Sequence, residues 1–333
     1  MRVALAYAGR LAESAAIRSL VDDRAAEVVT VTLDFGRGRR LEGVRDRARA
    51  LGARRAHVID QRERFAEHFV LPALAAGALG GGSATRLLAL ADAALAERLI
   101  EVASIEEVDA IAHAGDASSR LHRLLTARSL PVPVLALNQE SPLASGALEA
   151  FRLARGLPAD ALDIEDRFDV WAADRRDHAG EHADEDPLRD PGEAHVDIAF
   201  ARGVPAGLNG VSLAPYELIT HLGTVASRHR LSAPQVLHAA QRAVTDAVLD
   251  AAALPDAARI ASAVTAAYEG IIDRGDWFVP LRHALDAFCA TLQEGATGTV
   301  RLRLQHGTHT TVDTQLGAAL SPAGNPLSPT GNQ

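Results

Sequence analysis

The sequence predicts a two-domain α/β protein: an N-terminal doubly wound parallel sheet covered by helices, then a second, α+β domain. Three observations predict it. The chain opens on an apolar run, a glycine turn and a helix-like segment. β-rich runs then alternate with helix-like segments as far as residue 137. Much later, a stretch around Gly203, Val204 and Pro205 alternates apolar and polar residues with period two, as a hairpin does. A length of 333 residues suits two domains.

Residues 3–7 form the first apolar run, of the kind buried in a parallel sheet. Gly9 breaks it, and Ser14 caps or enters the first turn of a helix carrying Ala15, Ala16, Ile17 and Leu20. Strand, tight turn and helix N-terminus make an anion site, because free backbone N–H groups and the helix dipole converge there. Residues 28–33 read as a second strand, 41–51 as a helix stopped by Gly52, and 56–59 as a third strand. After the link G-G-G-S at 80–83 comes an alanine- and leucine-rich helix, 84–102. Residues 109–113 and 132–137 are the fourth and fifth strands, and 149–155 is helical. Between those strands Ser118, Ser119 and Arg120 bind a small anion or cap the next helix.

Composition shifts near Asp169, and residues 174–191 are almost wholly polar. His178 and His182 there have the i, i+4 spacing of metal ligands, near Asp184 and Asp186. Gly180 lies between them and no apolar face buries them, so the tract reads as solvated and no metal is expected. The hairpin at 196–209 follows, then helices from Pro215 and over 235–253, and a Pro/Gly/Ser/Asn tail at 321–333 expected to be disordered.

The chain is 48% hydrophobic and 23% charged, enough for real cores. A net charge of -9 argues against nucleic acid. No run of eighteen apolar residues or leader-like segment appears, so no membrane partner is expected. The single cysteine, Cys289, cannot form an internal disulfide, which suits a reducing cytoplasm, and its apolar run suits a buried, inert thiol. There is no lysine, which rules out a phosphate-binding Walker lysine and a Schiff-base lysine.

Residues 6–14, A-Y-A-G-R-L-A-E-S, resemble A-Y-S-G-G-L-D-T-S, the pyrophosphate loop of the argininosuccinate synthase family. The likeness continues through 31–37 and 51–53, and through V-D-I-A-F-A-R-G-V-P-A-G-L-N, W-F-V-P-L-R-H-A-L-D-A-F and T-G-T-V-R-L-R-L, covering roughly residues 2–312. It implies a pyrophosphate-loop ATPase domain of the adenine nucleotide alpha hydrolase-like type over 1–165 and a synthetase and oligomerisation domain over 166–312; the remainder, 313–333, is expected to be a disordered tail with no counterpart to the family's C-terminal arm. By position it implies Ala6, Gly9, Arg10, Ser14, Leu33, His113 and Gly115 as nucleotide or anion contacts. Asp92, Ser118, Ser119, Arg120 and Asp163 fall at substrate-binding positions.

The reactive set departs from that pattern. Ala8, Arg10, Ala12 and Glu13 replace a serine, a glycine, an aspartate and a threonine, and Glu13 brings negative charge to where phosphates would approach. On the citrulline helix, tyrosine, threonine and arginine have become Ala84, Leu88 and Asp92. The T-G-K turn after His113 and the citrulline loop after His229 are missing. Three functions follow as expectations: a fold repurposed for another small molecule without ordinary ATP use; a non-catalytic member binding a ligand or partner; or an AMP-forming C–N ligase with altered substrates. Only the last would need ATP and magnesium. A dimer or tetramer of the chain is expected from the family.

Overall fold

The computed structural model describes residues 1–36, 41, 43–81, 84–128, 130–137, 151–154, 192–249 and 251–317. They fall into two compact units. The first comprises Met1–Phe65, Thr85–Phe168 and Ile271–Val279; the second comprises Ala66–Ala84, Asp169–Gly270 and Pro280–Gln333. The expected boundary near residue 165 lies outside the described residues, and two segments belong to the unit opposite to the one their position along the chain suggests.

The first unit is built on five parallel strands: β1 (Arg2–Ala6), β2 (Glu27–Asp34), β3 (Arg55–Asp60), β4 (Ala110–His113) and β5 (Val134–Ala136). Their order is β3-β2-β1-β4-β5, which is the doubly wound arrangement expected. The order reverses at β1, so the carboxyl ends of β1 and β4 diverge into a crevice, where open α/β sheets bind ligands. Val3 and Leu5 of β1 and Tyr7 just beyond it form a core with Ala16, Ile17 and Leu20 of α1 (Leu11–Arg24) and Val44, Ala48 and Leu51 at α2 (Val44–Ala50). Ala4 and Ala6, on the other face, are buried too, which explains why β1 reads as a continuous apolar run rather than an alternating one. Helix α3 (Ala84–Ile105) runs one turn beyond its expected end, and α4 (Arg120–Thr126) follows β4.

At the amino ends of the strands, buried Glu106 accepts hydrogen bonds from Arg55 at 2.8 and 3.0 Å and pairs with His57 at 2.9 Å. Burial pushes its carboxyl up, but the Arg55 and His57 contacts prevail and hold it below the usual range. The segment Ile271–Val279 is tied to this unit through Arg86, 3.6 Å from Asp273, and Arg128, whose guanidinium lies 4.6 Å from the Phe278 ring centre.

The second unit holds a five-stranded antiparallel sheet in the order β10-β9-β6-β7-β8. Its strands are β6 (Ala194–Ala201), β7 (Val204–Leu208), β8 (Val211–Ser212), β9 (Gly298–Gln305) and β10 (Thr308–Leu316). Helices α5 (Pro215–Arg228) and α6 (Ala233–Val248) pack against it and each other; α7 (Leu254–Arg274) and α8 (Pro280–Leu292) follow. The expected hairpin turns at Arg202 and Gly203, both at positive φ. A Cβ on Gly203 would come 2.5 Å from Cβ of Gln293, so no side chain fits there. Asp313 to Leu316, expected to belong to the tail, continue β10 and pair with Arg301 to Gly298, and residues 318–333 lie outside the described residues. Both faces of that strand are largely exposed, so it lacks the apolar alternation that would announce it.

Candidate functional site

The opening loop turns in on itself. Beyond β1, Gly9 takes φ 86° and the extended Arg10 occupies the N-cap position of α1. Glu13 is therefore the third residue of the helix, from which a carboxylate reaches back to the capping backbone. It accepts the N–H of Ala8 at 2.5 Å and the N–H of Arg10 at 3.2 Å, and Arg10 Nε lies 3.9 Å from its other oxygen. Two backbone donors at the helix N-terminus thus already hold an anion, the chain's own. Ser14 lies inside the first turn rather than capping it, and its buried hydroxyl meets the Tyr7 hydroxyl at 3.3 Å. Burial pushes the Tyr7 phenol above its ordinary range. The Gly9 carbonyl accepts from Arg47 at 3.3 Å. Leu33, at the end of β2, borders a small cleft with Tyr7, Ala8 and Phe35.

On the β4 side the crevice opens into a cavity of about 360 Å³, bordered by Ala6, Arg10 and Glu13 from the loop region. Leu88, Asp92 and Leu95 of α3 form one wall, and His113, Gly115 and Arg120 another. Of the expected contacts, the structure therefore gathers Ala6, Arg10, Asp92, His113, Gly115, Ser119 and Arg120 round one space. Ser14, Leu33 and Ser118 are not among its lining. Asp163 and the tract with His178, His182, Asp184 and Asp186 lie outside the described residues. Among the described residues, no three His, Cys, Asp or Glu side chains are grouped to hold a metal.

The charged groups of this wall serve one another. Arg120 Nη1 donates to Asp92 at 3.2 Å, and its Nε reaches the carbonyl of Asp273 at 3.5 Å. Ser119 caps α4 by accepting the N–H of His122 at 3.3 Å, and Ser118 donates its hydroxyl and N–H to Asp116 at 2.6 and 2.8 Å. Ser119 thus caps the helix and Ser118 holds the turn before it through Asp116.

His113 is 2% exposed. Its Nδ1 accepts the N–H of Gly115 at 3.2 Å, so the proton belongs on Nε2, which donates to Nδ1 of His122 at 3.0 Å. Burial, then the neighbouring His122, push its pKa down to about 4, so the ring is neutral at pH 7. Sequence reasoning missed His122, which no motif marks. It placed Glu13 near the phosphates without seeing it close the loop, although the three-residue spacing from Arg10 is that of a capping box.

A family model described as "Arginosuccinate synthase N-terminal HUP domain" matches residues 2–121, and one described as "Arginosuccinate synthase C-terminal domain" matches residues 230–320. The chain is 30% identical to the argininosuccinate synthase of Nitratidesulfovibrio vulgaris strain Hildenborough, over 92% of its own length and 86% of the relative's. It is 30% identical to that of Pelotomaculum thermopropionicum, over 92% and 86%. The figure for that of Acidiphilium cryptum is 32%, over 92% and 84%.

Proposed function

This chain belongs to the argininosuccinate synthase family, and we propose that within it the chain has been turned from argininosuccinate synthesis to another small molecule, without ordinary use of ATP. One observation carries the reading: the Glu13 carboxylate sits on the backbone N–H groups of Ala8 and Arg10, where a pyrophosphate group would have to be held. A polyphosphate arriving there meets a buried negative charge and donors already engaged. The residues present do not fit ATP.

The substrate side supports the same reading. Family chemistry activates citrulline as an adenylate, which aspartate then attacks, and it needs two positioned amino acids and donors for the developing charge. Here Leu88 is apolar at a citrulline-helix position, and Asp92 is taken up by Arg120. Incubated with citrulline, aspartate and Mg-ATP, the full chain is expected to release no pyrophosphate above background. Release that requires both amino acids would refute the proposal.

A further inference from the structure

We infer that the cavity between the ends of β1 and β4 binds a small uncharged molecule with an apolar body; this rests on the preceding reading that the loop does not take a nucleotide. Its volume of about 360 Å³ is at the low end for small-molecule sites. Leu88 and Leu95 of α3 face it, as do Leu121 of α4 and the small side chains of Ala6, Ala12 and Ala114. Together they give the apolar part of the lining, which such sites use for affinity.

Charge decides the class of ligand. The described lining carries two cations, Arg10 and Arg120, and two anions, Glu13 and Asp92. Each guanidinium is set against a carboxylate, at 3.9 Å for Arg10 with Glu13 and 3.2 Å for Arg120 with Asp92. The other titratable group of this lining, His113, is neutral with both ring nitrogens engaged. An anionic ligand could recruit an arginine only by drawing it from its carboxylate, and the abandoned charge would be left partly buried. A cationic ligand meets the converse penalty. An uncharged ligand disturbs neither pair and gains from the leucines, and Thr85 adds a polar residue to the lining.

Two dyes with the same aromatic body test this. N-phenyl-1-naphthylamine is uncharged; 1-anilinonaphthalene-8-sulfonate adds one sulfonate. Titrated into the full chain, the uncharged dye is expected to bind saturably with blue-shifted emission, and the sulfonate about tenfold or more weakly. Leu88→Arg should abolish uptake of the uncharged dye at an unchanged melting temperature. Thr85→Arg, on the same wall, serves if Leu88→Arg does not fold. Equal binding of the two dyes, no uptake of the uncharged one, or uptake indifferent to both folded variants would overturn the inference. Mg-ATP binding that leaves the uncharged dye in place would overturn the reading of the loop alone, so the two failures are distinguishable.

Discussion

Replacing Glu13 by alanine is expected to destabilise the chain by about 2 kcal/mol and to make it responsive to pyrophosphate. The N–H groups of Ala8 and Arg10 lose a charged acceptor in a buried setting, and such hydrogen bonds contribute about 1.5–3 kcal/mol. The vacated helix N-terminus is then an anion site with its donors already oriented. Inorganic pyrophosphate at tenfold above its Kd should return about 1.4 kcal/mol. The native chain should show no such rescue. Asp256→Ala, which removes an equal charge from an exposed pair, should show none either. Melting curves with and without pyrophosphate read all three. A native chain stabilised as much as Glu13→Ala would mean that the carboxylate does not close the site.

Acid should cost the fold a similar amount through His113. Its pKa falls from 6.5 to about 4 on folding, so between these values the unfolded chain holds a proton that the native chain does not. Stability from this group is therefore complete above pH 6.5 and is lost as pH falls toward 4. At 1.36 kcal/mol per pKa unit the loss is about 3 kcal/mol. Burial supplies the larger part of the shift and His122 adds to it. Urea titrations at pH 7 and pH 4 should show the native chain losing about 3 kcal/mol more than His113→Gln, which has no ring to protonate. Equal losses would show that the ring is not held neutral as its hydrogen bonds to Gly115 and His122 require.

Much of the first unit was legible because its signals are local. An apolar run between turns, as in Val3 to Tyr7, states burial on both faces without reference to distant residues. Gly52, at φ 105°, stops α2 where a helix-stop signal was read. The loop after β1 was legible in outline as a candidate site, since the apolar run, the Gly9 turn and the helix start follow one another in sequence; the crevice it borders depends on strand order and was not. Nor was the use of its side chains. Asp92 and Arg120 each stood out as a substrate group, yet whether they meet a ligand or each other depends on how α3 lies against α4. The His113–His122 contact depends likewise on the short turn capped by Ser119. β10 was hidden for another reason. Its residues hold their place by backbone pairing with β9 while both faces stay wet, so side-chain pattern carries no trace of it beyond residue 312.

In the function proposed above, Glu13 closes the nucleotide loop of this family member. Calorimetric titration of the full native chain with Mg-ATP tests it most directly. No saturable heat is expected, because the Ala8 and Arg10 donors are engaged and the Glu13 charge repels the phosphates. Saturable binding at micromolar nucleotide would contradict it.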